Sequence, residues 1–196
     1  PVQFIQEKDP SALPWKALDV DVVVESTGLF TTYEKSQAHI TAGAKKVVIS
    51  APAKGDTGST QGETILMAVN EEKFGTCDIT SNASCTTNAA SPLIAILDEE
   101  LGIEKAILNT VHGYTASQGI VDGPNKKDFR EGRAAAMNIV PSSTGAAIAV
   151  TKAFPKYPHI KNSKLLNLSN AKFLTFTFIH NNKESSIEIP FVYLCN

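Results

Sequence analysis

Cysteine is scarce in this chain, and its spacing is not that of a metal or disulfide site. The 196 residues contain four histidines and only three cysteines, Cys77, Cys85 and Cys195. No two cysteines form a C-x-x-C pair, and none of them clusters with histidine as zinc ligands do. This pattern predicts no metal and no disulfide scaffold, and it favours a reducing cytoplasm as the location of the protein.

Long apolar runs and blocks of one charge are also missing. No apolar stretch approaches the roughly 20 residues that cross a bilayer, and no charged segment followed by an apolar one opens the chain. The formal net charge is −2, and the lysines are spread along the sequence. We therefore expect a soluble protein whose partners are neither nucleic acids nor membranes.

The apolar segments that are present indicate an α/β fold. Hydrophobic residues make up 42% of the chain, which is enough for a core in one large domain or two small ones. Val20–Glu25 and Lys46–Ser50 are typical of buried parallel strands, and Tyr33–Ala42 between them is typical of a helix. This β-α-β order predicts a parallel sheet. Ile65–Val69 has the apolar character of a further strand.

Small and polar residues follow both predicted parallel strands. Because ligands of open α/β sheets collect at the carboxyl ends of strands, six residues are candidates for contact with a dinucleotide, namely Ser26, Thr27, Gly28, Phe30, Ser50 and Ala51. Ordinary turn chemistry explains glycine and serine after a strand as well, so both interpretations stay open. His39 lies on the predicted helix without neighbouring ligands, and no role is assigned to it.

One thiol lies where a polar loop becomes an amphipathic helix. Cys85 stands in SNASCTTNAASPLIAILDEELG, ahead of an apolar run that begins at Pro92. The free N–H groups and the positive dipole end of a helix favour a thiolate, and Ser84 and Thr86 add hydroxyl groups beside it. A lone cysteine is more often an inert buried side chain, but polar neighbours argue against that here. We predict that Cys85 is a nucleophile.

Further polar residues follow the predicted strand Ile103–Val111. His112 comes directly after this strand and is a candidate base for the thiol, and Thr115 lies just beyond it. Ser142 to Gly145, including Thr144, opens the predicted helix Ala146–Ala153. Hydroxyl and N–H groups at a helix start suit phosphate, whereas simple N-capping is the common alternative.

Five segments carry motifs that belong together. They are ESTGLF, VVISAPAKGD, ASCTTN around Cys85, TVHGYTASQ around His112, and NIVPSSTGAA. Together they resemble phosphorylating glyceraldehyde-3-phosphate dehydrogenase. His112 lies 27 residues after Cys85, which matches the separation of the catalytic cysteine and histidine in that family. The resemblance extends from about Asp19 to Pro155.

The resemblance implies an NAD-dependent oxidoreductase of glycolysis, with NADP not excluded. Its Cys85 thiolate would attack the aldehyde of a triose phosphate, and His112 would act as base and stabilise charged intermediates. Inorganic phosphate would then cleave the thioacyl enzyme. The attacking phosphate would be bound by Ser84, Thr86, Thr144 and Gly145, and the substrate phosphate by Thr115. The family also implies a homotetramer.

The same resemblance implies two domains. Residues 1–83 would be the C-terminal part of a dinucleotide-binding domain with a partial Rossmann-like parallel sheet. Residues 84–196 would be an α+β catalytic domain that is truncated or diverged from about residue 156. In it, the Cys85 helix should pack on a mixed or antiparallel sheet. Strand edges and apolar faces should be left exposed.

Three features of the family are not found in the sequence. No G-x-G-x-x-G occurs, and after Pro155 neither an arginine-containing phosphate segment nor an asparagine for the nicotinamide amide can be identified. These departures leave a catalytically inactive chain, at most a binding protein, as one alternative. Erythrose-4-phosphate dehydrogenase, which shares the Cys/His chemistry on the same fold, is another.

Overall fold

A computed structural model describes residues 2–54, 62–142, 144–154, 160–167, 173–180 and 183–190. The chain divides into two compact units, Pro1–Ser84 and Cys85–Asn196, which we call the N-terminal and C-terminal units. This division falls one residue after the predicted domain boundary. The assignment of the two parts to cofactor binding and catalysis stays a prediction.

The N-terminal unit contains a four-stranded parallel sheet. Its elements are β1 (Val22–Glu25), α1 (Tyr33–Thr41), β2 (Lys46–Ile49), β3 (Gly62–Thr64) and β4 (Ile79–Ser81). The strands lie in the order β1-β2-β4-β3, and all three pairings are parallel. The α/β sheet predicted from the β-α-β order is confirmed, with β1 beginning two residues later than expected.

One face of this sheet forms the core of the N-terminal unit. Val23 and Val47 are buried there with Ile49, Ile79 and the Tyr33 ring of α1. On the opposite face of β1 the side chains of Val22 and Val24 are 52% and 62% exposed, because side chains alternate along a strand. An exposed apolar face, expected from the sequence, is therefore present on β1.

The segment Ile65–Val69 is not a strand, so that prediction is wrong. β3 ends at Thr64, and the chain then turns, with the Val69 N–H donating to the Leu66 carbonyl. The buried Asn70 amide stabilises the turn: its Nδ2 donates to the Thr64 carbonyl at 2.9 Å, and its Oδ1 accepts from the Leu66 N–H at 2.8 Å. A side chain thus satisfies backbone groups that a strand ladder would otherwise satisfy.

The C-terminal unit combines two helices with a mixed sheet. Its elements are α2 (Cys85–Glu100), β5 (Lys105–His112), β6 (Val140–Ser142), α3 (Ala146–Ala153), β7 (Ile160–Asn167), β8 (Phe173–His180) and β9 (Lys183–Pro190). The strand order is β6-β7-β5-β8-β9. Only β5 and β7 pair in parallel; the other pairings are antiparallel. The predicted α3 has the observed bounds, and the sheet is of the mixed kind expected.

Helices α2 and α3 pack on β5 to form the core of the C-terminal unit. Ala90, Ile94 and Leu97 repeat at helical spacing on one face of α2, and they cluster with Ala106 and Leu108 of β5 and with Ala146 and Val150 of α3. This packing fixes the first turns of both helices relative to the end of β5.

In the described parts of the chain no helix is long and apolar enough to cross a membrane.

Candidate active site

A tight turn leads from β4 to the start of α2. Ala83 has a φ of 55°, in the left-handed region that side chains other than glycine rarely adopt. The buried Ser81 hydroxyl accepts from the Ala83 N–H at 3.1 Å and donates to the Ala51 carbonyl at 2.7 Å. Hydrogen bonds to one hydroxyl therefore stabilise the strained turn, and Cys85 follows it as the first residue of α2.

The predicted nucleophile and base lie side by side in the C-terminal unit. Cys85 Sγ is 3.5 Å from His112 Nε2, and both residues are half-buried. His112 is the last residue of β5, so a helix start and a strand end together hold the pair. The structure thus brings together two residues that the sequence separates by 27 positions.

The hydrogen bonds of His112 assign its tautomer. Its Nδ1 is 2.6 Å from the Gly113 carbonyl oxygen, which can only accept. Nδ1 therefore carries a proton, and in the neutral ring Nε2 is left as the acceptor that faces the Cys85 thiol. This tautomer can take the thiol proton at Nε2 and then donate it back, as a general base requires.

Hydroxyl groups of the two helix starts meet near each other. Thr86 Oγ1 is 3.4 Å from Thr144 Oγ1, and the latter accepts from the Ala146 N–H at 3.2 Å. Thr144 thus bonds the first N–H of α3 from the position before the N-cap, so simple N-capping by Thr144 is not observed, and its phosphate role stays a prediction. Gly145 is the N-cap of α3, and a Cβ added to it would meet nothing within 4 Å, so the helix start is open there. Ser84, the remaining predicted phosphate ligand, is the last residue of the N-terminal unit.

Thr115 belongs to a closed ring of hydrogen bonds that the sequence did not indicate. Its N–H and hydroxyl both donate to Gln118 Oε1, at 2.6 and 3.1 Å. Gln118 Nε2 donates to the Ser117 hydroxyl at 2.8 Å, and that hydroxyl lies 3.2 Å from Thr115 Oγ1. The buried Gln118, which is only 6% exposed, thus holds the exposed hydroxyls of Thr115 and Ser117, three and five residues after His112, in a fixed arrangement.

The six predicted cofactor residues lie in two loops at one edge of the N-terminal sheet. Parallel pairing places Glu25 opposite Ile49, so the loops after β1 and β2 leave the sheet together. The Ser50 N–H donates to the Glu25 carbonyl at 2.9 Å, and the Lys54 N–H donates to the Thr31 carbonyl at 2.8 Å. Ser26 to Leu29 is exposed, and Gly28 has a φ of 77°. The edge therefore offers exposed backbone at the carboxyl ends of parallel strands.

Glu25 and His39 form a buried polar pair beneath that edge, and the sequence analysis missed it. The two residues are 3% and 5% exposed, and Glu25 Oε2 accepts from His39 Nε2 at 2.9 Å. Burial alone raises the pKa of the Glu25 carboxyl, but hydrogen bonds from Thr27 and His39 outweigh it and lower the pKa below its usual value. A carboxylate inside an apolar strand, and polar residues Tyr33, Ser36 and His39 on one helix face, were the available signals.

The other cysteines and possible metal ligands add little to the candidate chemistry. Cys77, a free thiol like Cys85, donates from Sγ to the Ile79 carbonyl at 3.3 Å, whereas Cys195 lies outside the described residues. Within those residues, no group of three or more His, Cys, Asp or Glu side chains could hold a metal ion. The chemistry that the described C-terminal unit offers is therefore that of a thiol, an imidazole and several hydroxyls.

Comparisons with known proteins identify the family. The model of the glyceraldehyde 3-phosphate dehydrogenase NAD binding domain matches residues 1–33, and that of the C-terminal domain matches residues 84–169. The chain is 50% identical over 155 residues to glyceraldehyde-3-phosphate dehydrogenase B of Aspergillus oryzae, covering 79% of this chain and 45% of the relative. Glyceraldehyde-3-phosphate dehydrogenases of Claviceps purpurea and Chlamydia trachomatis are 51% and 52% identical over 169 and 156 residues.

These alignments extend over most of this chain but not over most of its relatives. They cover 86% of this chain and 47% of the Claviceps protein, and 79% of this chain and 45% of the Chlamydia protein. The chain thus spans about half the length of the curated relatives it matches. The family matches also reach residues outside the segment from Asp19 to Pro155, at both ends. Both domain models and the relatives agree, and the chain belongs to the glyceraldehyde-3-phosphate dehydrogenase family.

Proposed function

We propose that this chain carries out the NAD-dependent oxidative phosphorylation of glyceraldehyde 3-phosphate. The observation that carries the proposal is the 3.5 Å approach of Cys85 Sγ to His112 Nε2, with the opposite ring nitrogen bonded to the Gly113 carbonyl. The names of relatives at about 50% identity support the triose substrate over erythrose 4-phosphate. The same relatives disfavour an inactive chain.

The first chemical step is the formation of a hemithioacetal at Cys85. His112 Nε2 takes the thiol proton, and the thiolate attacks the aldehyde carbon, so that a carbon–sulfur bond forms and the carbonyl oxygen gains negative charge. The positive dipole end of α2 stabilises that charge electrostatically, and the imidazolium then returns its proton to the oxygen. The pair therefore serves both to generate the nucleophile and to stabilise the charged state.

Oxidation then converts the hemithioacetal into a thioester. A dinucleotide held at the loops after β1 and β2 would supply the hydride acceptor for this oxidation, and His112 Nε2 would accept the hydroxyl proton of the hemithioacetal. The exposed loops after β1 and β2 fit a dinucleotide, since they present backbone and small side chains at the carboxyl edge of a parallel sheet. We assign its binding to Ser26, Thr27, Gly28, Phe30, Ser50 and Ala51.

Phosphate rather than water completes the reaction. An oxygen of inorganic phosphate attacks the thioester carbon, the carbon–sulfur bond breaks, and Cys85 leaves as a thiolate. Thr86 and Thr144, with the open start of α3 at Gly145, orient the attacking phosphate, and Ser84 adds a further hydroxyl. Thr115 binds the phosphate group of the substrate. The product is an acyl phosphate.

Assembly and location follow the family in this proposal. We assign the protein to the cytoplasm as a homo-oligomer, and the free thiols Cys77 and Cys85 support a reducing compartment. Sedimentation of the purified chain measures the oligomeric state directly.

A turnover assay tests the proposed activity. The purified chain is mixed with glyceraldehyde 3-phosphate, NAD and inorganic phosphate, and the absorbance of NADH is followed. We expect phosphate-dependent NADH formation that Cys85→Ser abolishes and Cys77→Ser leaves unchanged, with a higher kcat/KM for the triose than for erythrose 4-phosphate. NADH formation no faster than in Cys85→Ser would contradict the proposal.

A further inference from the structure

Glu25 lies at the end of β1 with hydrogen-bond donors on every side described. Its Oε1 accepts from the Thr27 N–H at 2.8 Å and from the Thr27 hydroxyl at 2.5 Å. Its Oε2 accepts from His39 Nε2 at 2.9 Å. Since the carboxylate is 3% exposed, these protein donors replace water as its hydrogen-bond partners.

The Thr27 hydroxyl links the Glu25 carboxylate to the backbone of the exposed loop. Because it donates its proton to Glu25, it acts as acceptor toward the Leu29 N–H, at 3.2 Å. The loop is held again at Phe30, whose carbonyl accepts from the Ser36 hydroxyl at 2.8 Å. A buried carboxylate thus sets the backbone of residues 26–30, which includes Gly28 in its left-handed conformation.

His39 connects the carboxylate to two aromatic side chains. Trp15 Nε1, which can only donate, lies 3.1 Å from His39 Nδ1, so Nδ1 accepts and Nε2 carries the proton given to Glu25. The Phe30 ring packs edge-on against the imidazole, with centroids 6.3 Å apart and planes at 75°. The tautomer of His39 is therefore fixed from the side opposite Glu25.

We propose that Glu25 and His39 are positioning residues that hold the loop of residues 26–30 in the conformation that binds the dinucleotide. The proposal rests on the proposed function, since that function places the dinucleotide at this loop. Neither side chain needs to touch the cofactor: Glu25 acts through Thr27, and His39 acts through Glu25 and Phe30. The hydroxyl of Thr27 is used within the protein, so Thr27 is left to contact the dinucleotide through its backbone.

The requirement for a carboxylate follows from the all-donor surroundings. In Glu25→Gln the introduced NH₂ group must face either Thr27 or His39 Nε2–H, and on each side it meets an N–H that can only donate, because the Thr27 hydroxyl can turn to accept but the Thr27 N–H cannot. The contact between the introduced amide and His39 becomes a hydrogen bond only if the His39 proton moves from Nε2 to Nδ1. On Nδ1 that proton would face the Trp15 N–H. Trp15→Phe removes that N–H, so the two substitutions together allow His39 Nε2 to accept from the introduced amide.

Two measurements on the same four proteins test this. Wild type, Glu25→Gln, Trp15→Phe and the double variant are compared by residue-resolved amide exchange and by calorimetric titration with NAD. For Glu25→Gln we expect the Thr27 and Leu29 amides to exchange at least about tenfold faster and NAD to bind at least about tenfold more weakly, as for a lost hydrogen bond to a charged group. The double variant should recover most of both losses, and Trp15→Phe alone should change each less than about threefold.

The outcomes separate this proposal from the function it rests on. Unchanged exchange of the Thr27 amide in Glu25→Gln, or a double variant no better than Glu25→Gln, would overturn the positioning role. If wild type itself failed to bind NAD, the proposed function would be contradicted, and the exchange rates would still decide whether the pair holds the loop. Thr27→Val, which removes only the hydroxyl, serves as a milder variant and should speed the exchange of Leu29 alone.

Discussion

The two units each contain a histidine with both ring nitrogens engaged, in opposite surroundings. His39 is 5% exposed and lies between a carboxylate acceptor and an indole donor, in contact with a second aromatic ring. His112 is half-buried, with a carbonyl on one nitrogen and a thiol on the other. A substrate can displace the long contact between the Cys85 thiol and His112, because that site is half-buried. It cannot displace the Glu25 carboxylate from His39, because that carboxylate is buried. Exposure and partner, rather than residue type, thus separate the histidine proposed for positioning from the one proposed for catalysis.

The strongest test of this contrast is the loss of the base. We expect His112→Asn to lower kcat by between about 100-fold and 10,000-fold, because Nε2 is removed while an amide can still donate to the Gly113 carbonyl. The unfolding free energy should change by less than about 0.5 kcal/mol, as for a residue outside the packed core. Steady-state kinetics and urea unfolding measure the two quantities. A kcat within a factor of three of wild type would exclude His112 as the base.

Substitution of His39, in contrast to that of His112, should affect stability. His39→Leu leaves the buried Glu25 carboxylate without one of its donors, so we expect the unfolding free energy to fall by about 2 to 3 kcal/mol. His112→Leu is the matched control and should cost less. Replacing both members, in Glu25→Leu with His39→Leu, should recover part of the loss, because no buried carboxylate is left without its His39 donor. Urea unfolding of the four proteins would contradict the pairing if the double variant were the least stable.

Each unit contains one described cysteine, and the reactivities of the two thiols can be compared directly. The Cys77 thiol donates to a backbone carbonyl, whereas Cys85 faces an imidazole at a helix start. We expect iodoacetamide to label Cys85 about tenfold faster than Cys77 near neutral pH, and His112→Asn to reduce that ratio. Mass spectrometry of timed digests gives the ratio, and the urea-unfolded chain is the reference. Equal labelling of both thiols in the folded chain would mean that the Cys85 site is not assembled.

The sequence predicts local elements well, since periodicity and chain order determine them. α3 has the predicted bounds, and Cys85 begins a helix as its polar neighbours indicated. Features that depend on the contacts of one particular side chain were not predicted. Ile65–Val69 reads as a strand, yet the amide of Asn70 makes it a turn. The Glu25–His39 pair joins residues 14 positions apart on two elements, which no local pattern reveals.

Acid should destabilise the protein partly through Glu25. Its pKa is lower in the folded chain than the ordinary 4.5, so near that pH the unfolded chain binds more protons and stability falls as the pH falls. This contribution is complete well above pH 4.5 and is lost as the pH drops through the folded pKa. Glu25→Gln should therefore show a flatter fall in unfolding free energy between about pH 6 and pH 3, measured by urea unfolding. Parallel curves would mean that Glu25 does not contribute to the pH dependence.

Only a small effect on stability is expected where the C-terminal unit is open. A Cβ at Gly145 meets nothing within 4 Å, whereas a Cβ at Gly62 would clash with the Tyr33 ring. Gly145→Ala should cost less than about 1 kcal/mol of unfolding free energy, and Gly62→Ala should cost about 1 to 3 kcal/mol through overpacking. If inorganic phosphate binds at the start of α3, Gly145→Ala should still raise the KM for phosphate several-fold and leave the KM for the triose unchanged. A rise in both constants would assign Gly145 to the general shape of the site rather than to the attacking phosphate.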